Sequence, residues 1–218
     1  MPSDSVRAVL FDFSGTLARL EEDDTWFAGM DLDEPMQALV MDRMLAPTGS
    51  ASHHAWDHRD LDPALHRDVY LHVLRETGLP DEYAESVYRR TIDPAEWQVY
   101  PDTVRVLDAL RDKGIHTAVV SNIAWDIRPV LAEADATPDE YVLSFEVGAA
   151  KPDPRIFEAA LARLGVRAAD AVMVGDSVEN DGAARELGCA FVYVDPLPIA
   201  ERPHGLIEAL RSVGVELT

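Results

Sequence analysis

Residues 6–17 read VRAVLFDFSGTL. Val6 to Phe13 form a short apolar run with β-branched residues, and Ser14-Gly15 ends it. That is the pattern of a buried strand stopping at a turn.

The chain can be followed outward from that strand. Beyond Pro101 the spacing predicts helices over 101–114, 124–135, 154–165, 180–188 and 204–214. Between them it predicts strands over 116–122, 141–148, 171–177 and 190–196. Val104, Leu107 and Leu110 share a face of the first helix, and Gly114 closes it. Pro154 opens the third helix and Gly165 ends it. Pro at a helix start and Gly just past its end is the expected asymmetry. Strands alternating with helices imply βαβ units, and so an α/β fold with a mainly parallel sheet.

Residues 18–98 break the rhythm. They carry little strand signal and predict helices over 34–45, 62–78 and 81–90. Leu61, Leu65, Val69 and Val73 follow a four-residue step that lines one apolar face. The stretch holds 18 acids, 7 bases and five of the seven histidines. A helical insertion after the first strand of a parallel-sheet domain is the economical reading. It divides the chain into a core of 1–17 and 99–218 and an insertion of 18–98.

The polar residues at the strand ends form a set. The first strand ends in Asp12-Phe13-Ser14-Gly15-Thr16, and the second in Ser121-Asn122. Lys151-Pro152 lies between a strand and a helix. A later strand ends in Gly175-Asp176-Ser177, with Asp181 five residues after Asp176. Ligands of open parallel sheets bind beyond the carboxyl ends of the strands, so these groups are expected to meet in one crevice. Each has a structural explanation alone, as a cap, a turn former or a solvated lysine. Their arrival at successive strand ends is what points to chemistry. Asp12, Asp176 and Asp181 would repel one another as bare anions. Mg²⁺ removes that problem, since it takes oxygen ligands and keeps substrate phosphate oxygens in its shell. Lys151 would then bind a phosphate oxygen, leaving Asp12 as a nucleophile able to form an aspartyl-phosphate.

Taken together, these motifs resemble those of the haloacid dehalogenase superfamily of hydrolases. Val9 to Leu17 match its first motif except at one position, and Ser121-Asn122 match its second. Lys151, within Ser144 to Asp153, resembles the third, and Gly175-Asp176-Ser177 through Asp181 the fourth. The resemblance covers the whole chain. It implies a Rossmann-like, doubly wound sheet with residues 18–98 as an all-helical cap domain. By position it implies Asp12 as nucleophile. Asp12, the Ser14 carbonyl and Asp176 would be Mg²⁺ ligands, with Asp181 acting directly or through water. Thr16, Ser121, Asn122 and Lys151 would bind the transferring group. The substrate implied is a small phosphorylated, or otherwise anionic, metabolite.

The departure is Ser14. Phosphatases of the superfamily carry Asp there, as general acid for the leaving group. A serine hydroxyl cannot deliver a proton near neutral pH as a carboxylic acid can, and such a group is worth ~10²–10⁴-fold in rate. Four readings stay open. The substrate could have a leaving group that needs little protonation, such as an acyl, aryl or anhydride phosphate. A cap residue could supply the acid, with His53, His54 and His58 as candidates. The reaction could be metal-independent dehalogenation of a 2-haloacid, although dehalogenases of the superfamily do not keep the carboxylate found at Asp176. The chain could instead be a weakly catalytic binding or regulatory protein. Arg19, Trp26, Trp56 and Trp97 offer an anion clamp and aromatic pocket walls, or else a hinge arginine and a small helical core.

Composition bounds the alternatives. The chain has 218 residues, 47% of them hydrophobic, enough for a core without disulfides. Its formal charge of −21 argues against nucleic acid or an anionic membrane as partner. The single cysteine, Cys189, fits a reducing cytoplasm, and no stretch has the apolar length of a signal peptide or a membrane span.

Overall fold

The structure, a computed structural model, describes residues 6–21, 25–45 and 55–217. The opening strand, β1 (Ala8–Phe11), is wholly buried. A short β2 (Ala18–Leu20) follows it. Then come helices α1 (Glu34–Leu45), α2 (Pro63–Glu76) and α3 (Asp81–Ile92). Strand β3 (Trp97–Val99) pairs antiparallel with β2, so a two-stranded ribbon brackets the helical segment. The remaining order is α4 (Thr103–Asp112), β4 (His116–Ser121), α5 (Arg128–Glu133), β5 (Glu140–Leu143), α6 (Ser144–Val147), α7 (Pro154–Leu164), β6 (Ala171–Gly175), β7 (Ala190–Tyr193) and α8 (Gly205–Ser212).

Five strands form one parallel sheet in the order β5-β4-β1-β6-β7. The chain winds outward from β1 in both directions, so the carboxyl end of β1 is the topological switch point of a doubly wound α/β sheet. Strand period sorts the core into two layers. Val9 and Phe11 face α4, α5 and α8 through Val106, Leu107, Leu131 and Leu210. Ala8 and Leu10 face α7 through Ile156, Phe157 and Ala160. A third cluster lies within the helical segment, where Trp26, Val40, Leu71, Leu74, Val87 and Tyr88 pack together.

Several expected elements differ in detail. Residues 141–148, read as one strand, turn helical at Ser144. The Ser144 Oγ accepts the Ile123 N–H at 2.9 Å, and Gly148, at φ 69°, closes the turn. Of 124–135 only α5 is helical, because Pro129 belongs in the first turn. Residues 181–187 wind as a 3₁₀ helix rather than an α-helix. The β2–β3 ribbon was not foreseen. On α2, Val69 and Val73 are buried as expected, while Leu61 falls in a preceding 3₁₀ turn, Trp56–Leu61. Among the described residues no helix is long and apolar enough to cross a membrane.

Candidate active site

Hydrogen bonding between strands sets the floor of the site. The Asp12 N–H continues the ladder by donating to Val174 O at 2.9 Å, which holds its carboxylate just past the sheet edge. The chain then reverses tightly, since the amides of Thr16, Leu17 and Ala18 all bond to Phe13 O. Gly15 has φ 75°, and a Cβ there would collide with the Asp176 carboxylate. Gly175 is needed for the same reason, because a Cβ would overlap the side chain of Asp181. The two glycines keep the carboxylates close.

Asp12, Asp176 and Asp181 each bring a carboxylate oxygen within 4.8 Å of the others. Lys151 Nζ donates to Asp12 Oδ1 and Asp181 Oδ1, both at 2.6 Å. Asp181 Oδ2 accepts the Ser177 N–H at 2.9 Å, so both its oxygens are engaged within the protein. Burial pushes the Asp12 carboxyl up to about 7, with Asp181 and Asp176 adding to it against the pull of Lys151. Asp176 is raised by burial and then by Asp181. Burial opposes charge on Lys151, but its two carboxylate partners outweigh that and lift it to about 12.

The other expected residues divide by what they touch. The Asn122 carboxamide is spent on the backbone of Lys151, with Nδ2 donating to its carbonyl at 2.8 Å and Oδ1 accepting its N–H at 2.6 Å. Asn122 therefore positions Lys151. Ser121 is buried beside it. The Thr16 hydroxyl is buried with no hydrogen-bond partner among the described residues. Ser14 is exposed and lines a cavity of about 490 Å³ with Asp176, Arg19 and residues of the helical segment. His58 is exposed in the 3₁₀ turn, and His53 and His54 lie outside the described residues.

The donors fit a hard divalent cation. They are carboxylates whose proton affinity is raised by burial and by one another. Asp12 and Asp176 would hold the ion, with the Ser14 carbonyl. Asp181 suits an orienting role behind them.

Two residues of this neighbourhood, Arg202 and Asp60, escape a reading by motif, and Ser144 lies in the motif stretch around Lys151 without a role read for it. Arg202 lies buried over the Tyr100 ring and donates to Gly15 O at 2.6 Å and Thr16 O at 2.5 Å, bracing the loop after Asp12. Ser144 Oγ donates to Asp60 O at 2.6 Å, tying the helical segment to the Asn122–Ile123 loop. The Asp60 carboxyl is raised by burial, against the charges of Arg59 and Lys151. No short motif marks Arg202 or Asp60. Only their long-range contacts do.

The model of a family described as haloacid dehalogenase-like hydrolase matches residues 6–188. A mouse haloacid dehalogenase-like hydrolase domain-containing protein 3 is 38% identical over 118 residues, 51% of this chain and 47% of that protein. A phosphoserine phosphatase from Thermus thermophilus is 32% identical over 135 residues, 58% of this chain and 53% of that protein. The chain thus spans about half the length of the curated relatives it matches. A crystal structure of a dehalogenase superposes with a TM-score of 0.66 at 25% identity, covering 88% of this chain and 86% of that one.

Proposed function

The chain belongs to the haloacid dehalogenase-like hydrolase family, and from that premise we propose that it is a Mg²⁺-dependent phosphatase acting on a small phosphorylated metabolite through Asp12. One observation carries the reading: three carboxylates and a buried ammonium converge at the carboxyl end of β1. Similarity to a phosphoserine phosphatase supports the phosphoryl class.

In this reading an Asp12 oxygen attacks phosphorus, the P–O bond to the leaving group breaks, and an aspartyl-phosphate forms. Water then attacks phosphorus, releasing inorganic phosphate and restoring Asp12. Mg²⁺ held by Asp12, Asp176 and the Ser14 carbonyl, with Asp181 behind them, would supply positive charge for the phosphoryl oxygens. Lys151 has a third N–H beyond its two carboxylate partners and offers it to the phosphoryl group. The Thr16 hydroxyl is a second such donor. Asn122 fixes where Lys151 sits. The helical segment, 18–98, acts as a cap that covers the site and excludes water. Ser14 supplies no proton, so the favoured leaving groups depart as anions.

The test is a panel of aryl, acyl and alkyl phosphates and 2-haloacids, assayed with and without Mg²⁺. Phosphate release should require Mg²⁺, and Asp12→Asn should lower it by more than ~10⁴-fold. Unchanged phosphatase activity in that variant would overturn the mechanism. The second reading, metal-independent dehalogenation, is favoured by the likeness to a dehalogenase structure. Asp176 within the carboxylate cluster weighs against it. Chloride release from 2-haloacids without metal would establish it instead.

A further inference from the structure

The cavity over Ser14 and Asp176 has two unlike sides. Its floor is Ser14, Gly15 and Asp176 at the sheet edge. Its far wall is Leu20, Trp26, Met41, Met44, Tyr70 and Trp97. These come from β2, the loop before α1, α1 itself, α2 and β3, and they present mainly carbon. Three polar groups of the wall are already engaged. Trp26 Nε1 donates to Glu21 O at 3.1 Å, Trp97 Nε1 to Thr91 O at 3.0 Å, and Thr91 Oγ1 to Tyr88 O at 2.7 Å. The one cation lining the cavity among the described residues, Arg19, donates to Pro196 O at 2.5 Å. Its Nε lies 3.4 Å from Glu21 Oε1 in an ion pair, without a hydrogen-bond partner of its own. A wall of this kind favours apolar surface. Polar groups set against its carbon surface would lose water.

Ser14 restricts the leaving group by a separate route. Without an acid at that position, a leaving oxygen that is stable as its anion is favoured. A phenolic oxygen, with a pKa of about 10, does so far more readily than an alkyl alcohol. The wall selects what the leaving group is made of, and Ser14 selects how acidic its hydroxyl must be. An aromatic ring bonded to the phosphate oxygen meets both demands.

We propose that the substrates are apolar aryl phosphates, with the ring against the Trp26, Met41, Met44, Tyr70 and Trp97 wall and the phosphoryl group at Asp12. The proposal rests on the phosphatase reading above. The Asp12 oxygen–phosphorus bond forms as the phosphorus–aryl oxygen bond breaks. The aryl oxide leaves with the bonding pair and takes a proton from solvent. Water then hydrolyses the aspartyl-phosphate to inorganic phosphate.

The test uses two phosphates whose phenols ionise alike but whose para substituents differ, para-ethylphenyl phosphate and para-(carboxymethyl)phenyl phosphate. Acetyl phosphate serves as a small reference substrate. With Mg²⁺, the ethyl compound should have a kcat/KM at least ~10-fold above its carboxymethyl analogue. Met44→Gln should narrow that ratio severalfold. The free phenols give a reading independent of any variant's folding: para-ethylphenol should inhibit acetyl phosphate hydrolysis at a lower concentration than para-hydroxyphenylacetate. Equal rates, or preference for the carboxymethyl compound, with acetyl phosphate still hydrolysed, would overturn the assignment of apolar aryl phosphates and leave the phosphatase reading standing. Failure of all three phosphates to react would overturn both.

Discussion

The floor and the far wall of the cavity are built on opposite rules. The floor is Ser14, Gly15 and Asp176, and beneath it Asp12, Lys151 and Asp181 lie buried, with the Lys151 ammonium bonded to the carboxylates of the other two. The wall is apolar and comes from elements spread over residues 20–97. Strand register and two glycines hold the floor, so each of its atoms has one place. The wall needs only volume and the absence of free polar groups, a requirement that many sequences meet. Reaction type is therefore concentrated in a few positions, while selectivity is distributed over many.

That contrast can be broken at its strongest point, Lys151. Lys151→Met should lower turnover by about 10³-fold, because in the proposed mechanism its ammonium binds the transferring phosphoryl group. It also leaves two buried carboxylates unpaired, so the variant should melt well below wild type. Mg²⁺ should then raise its melting temperature more than that of wild type. Equal Mg²⁺ shifts in the two proteins would separate Lys151 from the cation site.

At the boundary between floor and wall, Ser14→Asp should restore the missing proton donor. Activity on alkyl phosphates should rise by about 10²-fold, with a much smaller gain on aryl phosphates. Absence of activity in both proteins, with or without Mg²⁺, would point to a binding or regulatory role.

A smaller effect lies behind the wall. His66 bonds through Nδ1 to Tyr88 Oη at 3.0 Å, and burial, aided by Arg59, lowers its pKa from 6.5 to about 4. The unfolded chain takes up this proton near 6.5 and the folded protein refuses it until about 4. Stability from this group is therefore present above pH 6.5 and lost as the pH falls toward 4. Between pH 7.5 and 5, wild type should lose about 2 kcal/mol more than His66→Phe in denaturant unfolding. Parallel pH profiles would place the acid sensitivity elsewhere.

The same contrast explains what could be read from the chain. Asp12, Lys151, Asp176 and Asp181 were legible because each sits where an apolar run stops, and β topology gathers strand ends automatically. The helices of the insertion were legible from apolar spacing, but not which of their side chains turn toward the site. Residues 141–148 misled because a buried strand and a buried helical turn have the same apolar composition, and the Ser144 hydroxyl bond decides between them. Arg202 and Asp60 were invisible because their partners, Gly15, Thr16 and Ser144, lie far away in sequence. Ser14 stood out only through the family resemblance, as a position where phosphatases of that family carry a carboxylate and this chain has a hydroxyl.

The most direct test of the central claim, nucleophilic attack on phosphorus by Asp12, is one turnover in heavy-oxygen water, followed by mass spectrometry of the phosphate and of the peptide containing Asp12. Hydrolysis through an aspartyl-phosphate places the heavy oxygen in inorganic phosphate and leaves Asp12 unlabelled, and acid quenching before completion traps a phosphoryl group on Asp12. Heavy oxygen in the Asp12 carboxylate would mean attack on carbon instead. Labelled phosphate with no trapped adduct in wild type, and full activity in Asp12→Asn, would mean direct attack by water and contradict the role given to Asp12.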